Sequence, residues 1–359
     1  MKQVCLQCNR QAADGNLWCQ EGYCATTRKP AILEYGEQLG DIEIVKLLVV
    51  LPTSAVYRAR RDQTQVLLKV AHDGCQQQLE REAEFLMETQ RAGQRHPMLP
   101  TLLPAHVQES LTVSYYSKTV FRGQIKYYSV FQDQEGDVLR ETLARNPQPW
   151  YRRAGWLTIS LADALVFMHK QRRLHLCLSP DGVLVRFDKQ KVPRPTLLDL
   201  GAVTPEQEIG LNWHPHYAAA AYTAPELLGR GRRGGPASDV YGLGLIFYEM
   251  LAGRPAFVYR LRKEDDVRRS VLQDTPAPMN RRDLVGIPAV VEQAISQDYH
   301  DRQQDVWAFA SDLLGHFPKV PPEKKPRVIN WGTVAVASGA ALAITLLLVL
   351  ALLLNGTAF

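Results

Sequence analysis

The chain has 359 residues, of which 46% are apolar and 22% charged, and a formal net charge of +5. That balance builds a folded core and excludes a disordered chain, and the length suits one large or two modest domains. The positive charge is mild and spread along the sequence, so no nucleic-acid partner is expected.

Four of the six cysteines fall at the amino terminus, as Cys5-x2-Cys8 and Cys19-x4-Cys24, ten residues apart. Two such pairs on tight turns can close a tetrahedral thiolate cage. Asp14–Gly15–Asn16 supplies turn chemistry between them. Residues 1–27 are therefore expected to form a zinc ribbon whose metal is structural, with disulfides or incidental thiols as the other readings. Residues 1–10 lack the apolar segment of a secretory signal. The body is thus expected in a reducing cytosol, where clustered cysteines bind metal more often than they pair. Residues 28–40 read as a linker.

From residue 41 the chain turns to short β-branched apolar runs at 42–50, 55–60 and 66–71, which read as antiparallel strands. A helix rich in Glu, Gln, Leu and Met is expected over 76–90. Another apolar strand covers 127–131. Further on, Leu157, Leu161, Ala164, Leu165 and Met168 recur on one face of a buried helix. It leads into a loop that reads LHLCLSPDG over 174–182, then two short strands ending in Asp199–Leu200–Gly201. An Ala224–Pro225–Glu226 motif follows, then Asp239–Val240–Tyr241–Gly242–Leu243–Gly244 and a helix stopped at Gly253. Asp298 and Arg302 lie beyond. The histidines of 213–217 have no cysteine or carboxylate at ligand spacing and read as loop residues.

This order of motifs resembles the eukaryotic-type Ser/Thr protein kinases over residues 40–318. The resemblance implies an α+β, two-lobed fold, with an amino lobe over 41–134 and a carboxyl lobe over 135–318. It also implies ATP and Mg²⁺ as cofactors. Lys69, in Val66–Leu67–Leu68–Lys69–Val70–Ala71, matches the phosphate lysine, and Glu82 matches its helical partner. Asp199 matches the magnesium aspartate. Phe131 would back the adenine pocket, with 132–134 as the hinge. Asp239 would support the catalytic loop, and Arg302 would pair with Glu226.

The departures cluster at the reaction centre. In H-R-D-L-x-x-x-N, His175 keeps its place, but Leu176 replaces the arginine, Cys177 the catalytic aspartate and Gly182 the metal-binding asparagine. Ser179 stands where a lysine contacts the transferring phosphate. The three glycines of the phosphate-covering loop fall on Val49, Leu51 and Ser54. Lys69, Glu82 and Asp199 still suffice to hold a nucleotide and one metal. The expectation is a pseudokinase, a signalling scaffold or regulator with weak or no ATP binding. A divergent, active Ser/Thr kinase is the alternative.

Residues 333–354 are 22 in number and carry no charge. As a helix they would span a hydrocarbon core of about 30 Å. Lys319, Lys324, Lys325 and Arg327 precede them, and only the short tail 355–359 follows. The expectation is a single carboxyl-terminal anchor with the folded body cytoplasmic, joined by a basic, proline-rich segment over 319–332. Ala335, Gly339 and Ala343 form a small-residue stripe that fits either self-association of this helix or chance. Protein partners are expected, without identity.

Overall fold

The structure is a computed structural model that describes residues 2–5, 11–13, 30–107, 113–229, 234–259, 262–279 and 281–323. The chain divides into a unit Met1–Val320 and a unit Pro321–Phe359. Cys8, Cys19 and Cys24 of the expected ribbon lie outside the described residues, as does the whole apolar run 333–354. Among the described residues no helix is long and apolar enough to cross a membrane.

At the amino terminus, β1 (Lys2–Val4) pairs with β2 (Gln11–Ala13) and with β3 (Ala31–Ile32). Cys5 is buried at the end of β1. The main sheet is antiparallel, with β4 (Gln38–Leu39), β5 (Ile42–Val50), β6 (Ser54–Arg61) and β7 (Thr64–Ala71) at one side. Here β4 lies inside the segment read as linker. Leu33 and Leu39 are buried in the sheet's core, and two short apolar positions gave no periodicity to read. The β6–β7 hairpin closes through Asp62 and Gln63, both at positive φ, the twist that a two-residue hairpin demands.

Helix α1 (Gln76–Arg91) crosses behind the sheet and buries Leu79, Glu82, Ala83, Phe85 and Leu86. Strand β8 (Leu102–Leu103) pairs with the strand of Val130 and Phe131, and β9 (His106–Val107) pairs with β10 (Val113–Ser114). Strand β11 (Ser117–Phe121) is the far edge, beside β12 (Gln124–Gln132), which pairs with β7 and sets Phe131 opposite Leu67.

The second lobe begins with β13 (Asp137–Val138), α2 (Leu139–Arg145) and α3 (Tyr151–Lys170). Helix α3 buries Leu157, Leu161, Ala164, Leu165 and Met168, the face that the periodicity selects. Strands β14 (Val183–Phe187) and β15 (Pro193–Leu197) form a hairpin at its side. Short helices α4 (Ile209–Asn212) and α5 (Pro225–Leu228) precede α6 (Pro236–Ala252). Helix α6 is buried from Ala237 to Leu251, because it runs through the middle of the lobe. Helices α7 (Glu264–Gln273), α8 (Ile287–Ala294) and α9 (Val306–Leu314) complete the lobe.

Candidate active site

The loop between α3 and β14 is held from below by one carboxylate. Asp239, buried at the first turn of α6, accepts from His175 N at 2.9 Å and Leu176 N at 2.6 Å. His169 Nε2, from the last turn of α3, lies 2.8 Å from the same group. Leu176 has φ +60°, a left-handed conformation that costs a leucine about 1–2 kcal/mol. Asp239 holds it there. Burial pushes the Asp239 carboxyl up, but the bond and charge of His169, with His175, outweigh it and leave the pKa lowered.

His175 links this loop to Asp199. Its Nδ1 lies 3.3 Å from Cys177 N and its Nε2 2.8 Å from Asp199 O, so the partners assign a ring with its proton on Nε2. Burial pushes its pKa down and keeps it neutral. Gly201 makes the joint possible. Its φ is +68°, and a Cβ there would lie 2.1 Å from His175 O.

Strand β7 and helix α1 bring Lys69 and Glu82 to the same centre. Lys69 Nζ donates to Glu82 Oε2 at 2.5 Å, to Asp199 Oδ1 at 2.7 Å and to Leu198 O at 3.2 Å. An ammonium has three donors, and here all three are taken. Burial pushes Glu82 up to about 7, with Lys69 opposing and Asp199 adding to the rise. For Asp199 burial also acts upward, but Lys69 outweighs it and the pKa falls. For Lys69 burial acts downward, and the two carboxylates outweigh it. One lysine thus bridges both carboxylates, holding Asp199 low while burial keeps Glu82 high. Gly182 lies alongside: a Cβ on it would be 3.5 Å from Asp199 Cβ. Gly182 carries no side chain that could ligate a metal. Among the described residues no group of three or more His, Cys, Asp or Glu side chains could hold a metal ion.

The turn between β5 and β6 is closed by backbone bonds and one side chain. Leu51 N donates to Ser54 O at 2.8 Å, giving a tight hairpin between β5 and β6. His72, just past β7, donates its N–H to Thr53 O at 2.9 Å and sets Nε2 3.0 Å from Leu51 O. Leu51 is buried in the same apolar cluster as Val49, Val56, Leu67, Phe131 and Leu184. Glycine would leave backbone amides open to an anion. Leucine and valine here turn the same segment into core.

Cys177, which the resemblance aligns with the catalytic aspartate, is 6% exposed. Burial first, then Asp199, pushes its thiol well above the ordinary range, so it is neutral. The indole of Trp213, also buried, makes an electrostatic contact with this sulfur that falls short of a formed hydrogen bond. Trp213 follows α4, and α4 is tied to α1 by Arg81, which donates to Ala202 O at 3.3 Å and Asn212 O at 3.1 Å. Gln78 adds a bond to Gly201 O at 2.9 Å. The segment after Asp199 is thus anchored on α1 and carries Trp213 to Cys177. Ser179 is buried at the start of a 3₁₀ turn, Pro180–Gly182.

Glu226 and Arg302 meet as a two-pronged pair at 2.9 and 3.0 Å, with Ser238 Oγ donating to Glu226 Oε1 at 2.6 Å. Several residues of the centre carried no sequence signal. Trp213 is core. His169, His72 and Arg81 act through contacts far apart in the chain. Arg140 donates to Glu249 at 2.8 Å, to Tyr222 Oη at 2.7 Å and to Asp181 at 3.3 Å, and so joins α2 to the loop of Asp181. Arg58 donates to Asp133 at 3.0 Å and to Gln134 O and Gly136 O at 3.1 Å, which pins the segment read as hinge.

A small antiparallel sheet with one helix, stacked on a helical lobe, with a lysine–glutamate pair and a D-x-G aspartate at the junction, defines a protein-kinase fold. The protein kinase domain family model matches residues 54–320, so the chain belongs to that family. The match begins at Ser54, just past the turn that lacks glycine. Serine/threonine-protein kinase C of Synechocystis is 26% identical over 257 residues, which is 70% of this chain and 42% of that protein. Serine/threonine-protein kinase PkaA of Streptomyces coelicolor is 37% identical over 105 residues, 29% of this chain and 19% of its own. The chain thus spans less than half the length of these curated relatives. The PknI kinase domain of Mycobacterium tuberculosis superposes with a TM-score of 0.54 at 20% identity, covering 79% of this chain and 100% of that domain. That likeness concerns the fold.

Proposed function

We propose that this chain is a membrane-anchored pseudokinase, which presents a kinase-shaped surface as a signalling scaffold and transfers phosphate negligibly. The observation that carries this reading is Cys177, a neutral buried thiol under Trp213 at the position of the base. A thiol with a raised pKa does not accept a substrate proton, and loss of a general base costs about 10²–10⁴ in rate. Two further observations support it. The three donors of Lys69 are consumed within the protein, and Leu51 is packed where amides would face phosphate. If nucleotide binds, Lys69, Asp199 and the surroundings of Phe131 would hold it, with Asp199 as the one carboxylate for Mg²⁺.

The second reading is a divergent active Ser/Thr kinase, favoured by the intact Lys69–Glu82 pair. The two are separated by titrating ATP with Mg²⁺ and by radiolabelled transfer to generic protein substrates, wild type beside Lys69→Ala and Asp199→Ala. Transfer at background in all three is expected. Transfer by wild type that both variants abolish replaces the pseudokinase with the active enzyme.

The anchor would be residues 333–354, with the body in the cytoplasm. The amino-terminal module would hold one structural Zn²⁺ through Cys5, Cys8, Cys19 and Cys24 as a docking element. Elemental analysis should find about one zinc per chain by the four-ligand rule. A zinc content that survives Cys5→Ser with Cys8→Ser rules these ligands out.

A further inference from the structure

We propose that the face formed by the start of α3 and the β14–β15 hairpin is a docking surface for an anionic membrane leaflet. The proposal rests on the membrane-anchor part of the function above, and adds that the kinase-like body itself lies against the lipid.

Trp150 and Phe187 are 48% and 39% exposed. Single exposed apolar side chains are ordinary; these two are joined through cations. Arg152 sits over the Trp150 ring at 5.5 Å, and Arg153 lies 5.9 Å from both the Trp150 and the Phe187 rings. Lys189 and Lys191 are exposed at the adjoining hairpin tip. The carboxylate of that tip, Asp188, is taken by Arg194 at 2.7 Å and by Gln190 N and Val192 N. Residues 147–156 contain no acid. Within 147–156 and 187–192 the face is thus aromatic and cationic, with the engaged Asp188 as its one acid. Amphipathic rings seat at headgroup depth, and Lys and Arg attract anionic lipid.

The direction of the chain supplies the second argument. Phe317 is buried against α3, 6.1 Å from the Tyr151 ring and 6.0 Å from Phe247. Gly155 leaves it room, since a Cβ there would lie 2.5 Å from the Phe317 ring. Trp156 Nε1 then donates to Pro318 O at 3.1 Å, and Trp156 stacks edge-on to Trp150 at 6.2 Å. The backbone therefore leaves the lobe beside the same aromatic and cationic group, with exposed Lys319 next. Residues 321–332 separate this exit from the apolar run. Fully extended, they reach about 40 Å. Tethered at that range, the face meets the leaflet at a high effective concentration.

The test follows hydrogen exchange of the full chain at residues 150–156 and 187–191. Vesicles are phosphatidylcholine alone or with about a third phosphatidylserine. Exchange should slow roughly fivefold or more with the anionic vesicles only, and recover at about 1 M salt. Arg152→Glu with Arg153→Glu should weaken the anionic effect by about 10²–10³, and so should the exposed pair Lys189→Glu with Lys191→Glu, which disturbs no packing. Equal exchange with both vesicles overturns the proposal. So does protection that follows protein concentration without lipid, which would make the occupant a second copy. Flotation on neutral vesicles reports the anchor separately. A chain that does not float overturns the anchor, while the difference between anionic and neutral vesicles still decides the surface.

Discussion

Cys177→Asp should destabilise the protein by about 2–4 kcal/mol and leave phosphate transfer at background. The position is 6% exposed and already under the influence of Asp199 and of burial, which raise the native thiol's pKa. A carboxylate placed there meets the same two effects, so it takes up a proton rather than accepting one from a substrate. Arg81, the cation that feels this position, is occupied by Ala202 O and Asn212 O. Trp213 still covers the group. Adding Gly182→Asn restores a metal ligand beside Asp199 but not the open phosphate loop, because Leu51 stays clamped by His72. Cys177→Ala is the control; it removes one sulfur and should cost about 1 kcal/mol. Denaturant midpoints and radiolabelled transfer measure the two halves of this expectation. A Cys177→Asp, Gly182→Asn protein of undiminished stability that phosphorylates in a Lys69-dependent way would show that the centre is an open kinase site lacking only its ligands.

The elements of this centre are legible in local pattern, and its site residues through the family resemblance. The spacing of Leu157, Leu161, Ala164, Leu165 and Met168 selects the buried face of α3. Lys69, Glu82 and Asp199, which the resemblance picks out, meet through the two bonds of Lys69, and Gly201 allows the close approach of His175. The closing of the site was not legible, because it is made by contacts between distant segments. Trp213 has no periodic neighbours, and only the fold sets it against Cys177 from 36 residues away. His72 reaches back 21 residues to Leu51. Arg140 reaches Glu249 across 109. The short strand β4 was hidden for a simpler reason, since two residues carry no alternation.

Asp239→Ala should cost about 3–5 kcal/mol, the range for breaking a buried charged network by removing one partner. The argument rests on what would be stranded. His175 N and Leu176 N lose their acceptor, and each buried orphan donor costs about 1–3 kcal/mol. The left-handed Leu176 then has nothing to hold it, and the bond to His169 Nε2 is lost as well. Asp239→Asn should fall between, because the amide oxygen replaces one acceptor while the amide nitrogen faces an N–H. The pH dependence has a fixed sign. The Asp239 pKa is lower folded than unfolded, so its contribution is present above about pH 4, the unfolded value, and is lost as pH falls through the folded value. The gap between wild type and Asp239→Ala in denaturant midpoint should therefore be full at pH 7 and shrink in acid below about pH 4. A gap under about 1 kcal/mol at pH 7 would mean that the loop stands without its carboxylate. A gap that grows in acid would mean that Asp239 is protonated in the native fold, and that the bonds to His175 and Leu176 are held by a neutral acid.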